Sequence, residues 1–257
     1  ENHPHGEGYL DFHELRILGH PADRHYLQLS YIRQEVNNLP ESLTGMDGKS
    51  KTLVWSGIIQ EVKDGQVIAE INTADYPLLY ESAVEKLDYA GATLDAIEVQ
   101  VGVNTFTSYA DGTQDYTHVN SMDYTLDPDG TVDKLLVSMR DQSAIYQFDI
   151  DTAQIEWILG GKASTLTGYE EYAKTRTDDN GAPFEALTFG QHFAMYTNKA
   201  ADGTISGPIE FTVFDNQTGA QPFFRSLDPP TLTRVFRVTV DPEKETAKVS
   251  DVINGTD

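Results

Sequence analysis

Ile145-Tyr-Gln-Phe-Asp-Ile-Asp-Thr-Ala-Gln-Ile-Glu-Trp-Ile158 is a strand, an acidic turn and a second strand. The pattern occurs twice more. Ile58-Ile-Gln-Glu-Val-Lys-Asp-Gly-Gln-Val-Ile-Ala-Glu-Ile71 precedes it, and Val235-Phe-Arg-Val-Thr-Val-Asp-Pro-Glu-Lys-Glu-Thr-Ala-Lys-Val249 follows it. β-Branched and aromatic residues fill the arms, and Lys63-Asp-Gly65 is a good hairpin turn. The three copies recur roughly every 90 residues, long for a propeller blade, but two polar excursions account for the excess.

Two further predicted strands precede each hairpin. They are Phe12 to Leu18 with Tyr26 to Val36, Val119 to Leu126 with Lys134 to Arg140, and Gln191 to Thr197 with Pro208 to Phe214. Four antiparallel strands per unit, repeated, is the pattern of a propeller blade. The expected fold is therefore all-β, a partial β-propeller over 1–257. Its blade-like units cover about 9–75, 116–161 and 189–253, with irregular insertions at 76–115 and 162–188. The first insertion holds a short helix, Leu78 to Leu87, and a strand, Ile97 to Val103. A sandwich or jelly roll is the competing all-β arrangement.

The chain has 257 residues, 39% hydrophobic and 23% charged, enough for one substantial core. No apolar run approaches the roughly 18 residues of a membrane span. The formal charge of −23 repels nucleic acid and anionic membranes, so a small anion needs a local cationic pocket. The absence of cysteine excludes disulfides, thiolate metal sites and a cysteine nucleophile. There is no phosphate-binding glycine loop and no Gly-x-Ser-x-Gly elbow. The chain begins with Glu1, which suggests a processed or excerpted chain.

The first strand of each unit carries one histidine near its start. The contexts are Asp11-Phe-His13-Glu-Leu, Tyr116-Thr-His118-Val-Asn-Ser and Gly190-Gln-His192-Phe-Ala. The first strand of a propeller blade lines the central channel, so the three rings should meet there. Imidazole serves as nucleophile, acid, base or metal ligand. Three histidines would suit zinc. Arg140 and Asn120 near His118 argue against a metal, because a guanidinium repels a cation and fits an oxyanion as a fork. Asn120 lies two residues beyond His118, so on a strand both face one side. Phe211-Thr-Val-Phe-Asp-Asn216 ends a predicted strand in turn chemistry.

These residues resemble the arylsulfotransferase family. The likeness rests on Asp11-Phe-His-Glu-Leu, Tyr116-Thr-His-Val-Asn-Ser-Met-Asp, Val137-Ser-Met-Arg-Asp-Gln-Ser-Ala-Ile, Ile155-Glu-Trp-Ile-Leu-Gly-Gly, Gly190-Gln-His and Val213-Phe-Asp-Asn. It implies a six-bladed propeller that moves a sulfuryl group between phenols by a ping-pong mechanism, with no nucleotide donor and no cofactor or metal. By the same resemblance His192 becomes sulfated, His118, Asn120 and Arg140 hold the sulfuryl oxygens, and His13 is a further active-site histidine. A periplasmic or secreted setting follows from it. The expected partners are a phenolic sulfate donor and a phenol acceptor, with no nucleic acid. Three blades do not close a six-bladed ring and leave open sheet edges. The remaining blades are expected on further sequence or on another chain, with a homodimer as one arrangement. Apolar Phe193 and Met195 flank His192, so no hydrogen-bonding partner for its ring is evident nearby in sequence.

Overall fold

The structure is a computed structural model that describes residues 2–3, 6–36, 53–84, 87–88, 97–101, 104–108, 114–178, 181–217 and 233–254. Three antiparallel meanders dominate it. The first comprises β1 (Gly6–Ile17), β2 (His25–Glu35), β3 (Leu53–Lys63) and β4 (Gln66–Asn72). The second is β5 (Val119–Leu126), β6 (Val132–Met139), β7 (Ala144–Asp149) and β8 (Gln154–Gly160). The third is β9 (His192–Tyr196), β10 (Ile209–Asp215), β11 (Arg234–Asp241) and β12 (Thr246–Asn254). The fold is that of β-propeller blades, and sequence order is spatial order within each meander.

The repeat seen in the sequence extends to its irregularities. Each outer hairpin carries one register shift: between Glu61 and Val62, between Gln147 and Phe148, and between Arg237 and Val238. Asp64 and Gly65 both take positive φ, 51° and 78°, as a two-residue hairpin turn requires.

Burial explains the differing patterns of the units. The run Leu135-Leu-Val-Ser-Met139 is buried on both faces, because the second meander lies between the other two. Leu135, Val137 and Met139 pack with Leu27, Leu29 and Ile59 of the first meander. Leu136, Ile145 and Trp157 pack with Phe211, Phe236 and Val238 of the third. β11 instead alternates: Phe236, Val238 and Val240 are buried while Arg237 faces out. Burying each such apolar side chain is worth roughly 1.5–3 kcal/mol.

Several polar contacts between blades run from side chain to main chain. Tyr31 Oη donates to Val119 O at 3.1 Å, and Val132 N donates to Glu61 Oε1 at 3.1 Å. Ala194 N donates to Ser121 Oγ at 3.0 Å, and Tyr196 N to Asp123 Oδ2 at 2.9 Å.

The first insertion departs from expectation in detail. Its helix is confined to Pro77–Glu81, since Ser82 already caps it by returning its N–H to Leu78 O. Ile97–Val101 pairs with Asn104–Ser108. The insertion ends in a two-residue strand, Gln114–Asp115, which pairs in parallel with Val54 and Trp55 at the start of β3. That pairing, with Leu87–Asp88 antiparallel on the other side, fixes Asp115 within the first sheet. The second insertion forms a hairpin, Lys174–Thr177 with Pro183–Ala186.

Gly160 and Gly161 end β8 with φ of 86° and 63°. A Cβ on Gly160 would lie 2.9 Å from Ser143 O, and one on Gly161 would strike Gln142 O. Gly161→Ala should therefore cost about 2–3 kcal/mol, from the left-handed backbone and the clash together. Denaturant unfolding checks this, and a change within 0.5 kcal/mol of zero, the range usual for surface substitutions, would contradict it.

Candidate active site

Each first strand loses its regular pairing beside its histidine. Pairing of β1 with β2 jumps from Leu10 to Leu15, which brackets His13. Pairing of β5 with β6 skips Asn120, and pairing of β9 with β10 jumps from His192 to Met195. Bulges re-aim side chains and gather at functional sites. His118 and Phe193 also carry positive φ, 44° and 58°. Such backbone costs on the order of 1 kcal/mol or more and persists only where its surroundings impose it.

The result is a cluster of rings. The His13 ring centroid lies 5.6 Å from that of His118 and 6.4 Å from that of His192. Three histidines far apart in sequence thus share one small volume. Arg140 joins them because Val119 pairs with Met139, and Arg140 N then donates to His118 O at 3.0 Å.

The three rings are held differently. His13 Nδ1 lies 2.6 Å from Asp11 Oδ1, which also accepts the His13 backbone N–H. His118 Nδ1 lies 3.2 Å from Asp115 Oδ2, while Asp115 Oδ1 accepts the backbone N–H groups of Thr117 and His118. Among the described residues, no carboxylate contacts the His192 ring. Its Nδ1 is 3.2 Å from Gly190 O and 2.7 Å from Asn216 Nδ2, and Asn216 Nδ2 donates to Gly190 O. Asn216 Nδ2 is a donor, so its contact requires Nδ1 to accept; in the tautomer that puts the lone pair on Nε2, Nδ1–H donates to Gly190 O and the Asn216 amide has turned away from Nδ1.

Charge follows from these partners. Burial disfavours the charged form of His118, but the hydrogen bond and charge of Asp115, with the charge of Asp141, outweigh it, and the pKa is raised. Burial lowers that of His192 to about 4, and the charges of His118, Arg140 and His13 push the same way despite the Gly190 carbonyl. His192 is therefore neutral at pH 7 and His118 holds its proton more tightly than a free imidazole. Asp141, fully buried beside Asp115, is pushed up to about 7.

The acid limb of any reaction that uses the His192 lone pair should have its midpoint near pH 4. Stability has the corresponding sign. Between about pH 6.5, the unfolded value, and pH 4 the unfolded chain binds the extra proton, so this group's contribution falls as pH falls through that window. A pH–rate profile of donor cleavage with its acid midpoint at 6 or above would contradict the assignment.

Arg140 Nη1 pairs with Asp141 Oδ1 at 2.6 Å. Asn120 Nδ2 donates to Gln191 O at 2.7 Å, and its buried Oδ1 has no hydrogen-bond partner. Asn120 thereby braces the main chain next to His192. The expectation that His118 and Asn120 face one side of a strand does not apply, because His118 precedes β5 and Asn120 occupies a bulge. Gln191 supports the same turn from below, donating to Met139 O and Ala144 O, both at 2.9 Å.

Asn216 reads in the sequence as turn chemistry, yet it touches the His192 ring. Its signal is present, since Asn216 ends a strand of the unit that begins with His192, but nothing local marks it. The carboxylates Asp11 and Asp115 are visible two and three residues ahead of their histidines. Among the described residues, Asp115, His118 and Asp141 bring three metal-ligating atoms within 4.8 Å of one another. Both Asp115 oxygens and one Asp141 oxygen already serve the contacts above. A cleft lined by Thr125, Asp133, Lys134, Tyr196 and Asp241 opens at the opposite end of β5 and takes no part in this site.

Fold and site together define a β-propeller protein with a cluster of three histidines where its blades meet. The family model for Arylsulfotransferase (ASST) matches residues 38–253, and the chain belongs to that family. His118, Asn120, Arg140, His192 and Asn216 lie inside the matched stretch, and His13 precedes it. Membership supports aryl sulfotransferase activity in general, with small-molecule substrates. A search of curated proteins finds no match. Among the described residues no helix is long and apolar enough to cross a membrane.

Proposed function

We propose that the chain acts in an aryl-sulfate sulfotransferase that works by a ping-pong mechanism through a sulfated His192, without a nucleotide donor. The carrying observation is the neutral His192 ring, oriented by Gly190 and Asn216, facing two histidines that are each held by a carboxylate. The His192 Nε2 lone pair attacks sulfur, the N–S bond forms, and the S–O bond to the aryl group breaks with its electron pair leaving as phenolate. Protonated His118, the Arg140 guanidinium and Asn120 hold the sulfuryl oxygens, whose charge grows as sulfur transfers. A second phenol then attacks sulfur, the N–S pair returns to the imidazole, and His13 takes the phenolic proton. Covalent catalysis of this kind divides one difficult transfer into two easier ones.

The protein is proposed to work in the periplasm or outside the cell, with further blades completing the ring on additional sequence, another chain or a second copy. Support comes from the outer face of the third meander, where the cross-strand neighbours Phe214, Val235 and Ile253 lie in one row and Phe214 and Ile253 are exposed.

The test is to incubate purified protein with 4-nitrophenyl sulfate, with and without phenol, and to map modified peptides by mass spectrometry. The expected results are nitrophenol release that rises with phenol and a sulfuryl group on the His192 peptide. Release indifferent to phenol would mean hydrolysis, label on another residue would overturn the role of His192, and no release or label would leave a binding module.

A further inference from the structure

The hairpin of the second insertion carries an excess of positive charge to the edge of the site. Lys174 Nζ and Arg176 Nη2 both donate to one neutral oxygen, Gln217 Oε1, each at 3.0 Å. Arg234 stands behind them and pairs with Asp215 at 2.7 Å. Three cations thus face one carboxylate in a chain of net charge −23. Asp215 is fully committed, because Arg234, Gln217 and the Phe189 N–H all bind it. Among the described residues, two cations therefore converge on an amide with no carboxylate of their own. Arg176 Nε is buried and has no hydrogen-bond partner among the described residues, so part of the guanidinium's donor capacity is unused there.

The cluster also lies beside the reacting histidine. Gln217 follows Asn216, which touches the His192 ring. The Arg176 guanidinium sits 5.0 Å over the ring of Phe189, and Phe189 precedes Gly190, whose carbonyl faces His192. Burial and mutual repulsion hold the pKa values of Lys174 and Arg176 down, as expected where an anion would relieve the crowding.

We infer that Lys174 and Arg176 form a second anion subsite, which binds a carboxylate or sulfate substituent on the phenolic substrate. The inference rests on the sulfotransferase proposal for its substrate, but not for the anion chemistry. A guanidinium and an ammonium presented side by side suit either planar or tetrahedral oxyanions. The subsite would make the preferred substrates dianionic donors or acidic phenols, in place of simple phenols.

The experiment compares acceptors of similar size with 4-nitrophenyl sulfate as donor: 4-propylphenol, 3-(4-hydroxyphenyl)propanoate and 4-hydroxybenzenesulfonate. The parent should favour at least one anionic acceptor by about tenfold in kcat/KM, and the double variant Lys174→Gln with Arg176→Gln should lose that preference. Turnover with 4-propylphenol should be unchanged, and the charge-retaining pair Lys174→Arg with Arg176→Lys should keep most of the preference. The arm that gains identifies the substituent as carboxylate or sulfonate. Equal preference in the parent and in the double variant would overturn the subsite. If no acceptor is sulfated, the transferase proposal fails on its own. Calorimetric binding of 3-(4-hydroxyphenyl)propanoate against 4-propylphenol then decides the subsite: weakened binding of the acid alone in the double variant supports it, and unchanged binding overturns it.

Discussion

His192→Ala should lose at least about a thousandfold in aryl-sulfate turnover, the scale on which removal of a covalent nucleophile acts. Its unfolding midpoint should stay close to that of the parent. The side chain is the first of β9 and partly exposed, and its hydrogen-bonding contacts are Gly190 O and Asn216. Truncation therefore removes little packing. Of the neighbouring rings, His118 is the poorer nucleophile, because Asp115 makes it hold its proton more tightly than a free imidazole, and His13 is the proposed base of the second step. Steady-state release of nitrophenol, with circular dichroism as the fold check, measures both halves. Retention of a tenth or more of the parent rate in folded protein would remove His192 from the role of nucleophile.

Asp215→Ala should be the most damaging single change to stability, at about 3–5 kcal/mol, because it strands a buried charge. Asp215 is fully buried, and its partner Arg234 is 11% exposed. The carboxylate accepts Phe189 N at 2.8 Å and two guanidinium N–H groups of Arg234. Its loss leaves Arg234 facing Lys174 and Arg176 without compensation, and frees the turn that presents Gly190 and His192. Replacing Asp215 and Arg234 together by leucine should recover much of the loss, since an apolar pair does not leave an unpaired charge. Urea unfolding at constant slope is the measurement. A loss below about 1 kcal/mol, the value of an exposed pair, would show that the ion pair contributes little.

The architecture was legible in the sequence because strand periodicity, turn chemistry and repetition agree. Asp64-Gly65 marks one hairpin turn, and the three outer hairpins are similar enough to align. The convergence of His13, His118 and His192 was legible for the same reason, since equivalent places in repeated units point to one axis. What holds each ring was less so. Asn216 reaches His192 across 24 residues of chain, and no local spacing announces it. The bulges at His13, Asn120 and Phe193 are backbone events, and period-two patterns assume regular pairing. The same assumption led to placing His118 and Asn120 on one face. The cluster of Lys174, Arg176 and Arg234 is split between an insertion and the third meander, so only the folded chain assembles it.

The hydrogen bonds between neighbouring blades have a consequence for how the chain tolerates change. Ser121 and Asp123 bind the amides of Ala194 and Tyr196, Glu61 binds the amide of Val132, and Tyr31 binds the carbonyl of Val119. In each of these bonds one blade supplies a particular side chain and the next supplies its backbone, although Tyr196 adds a side-chain bond to Gln147. The tolerance at such a joint is one-sided: the giving residue is constrained in identity, while the receiving residue is constrained in position and in the size of its packing group. The chain between β4 and β5 and between β8 and β9 takes no part in these four bonds, so changes there leave them in place.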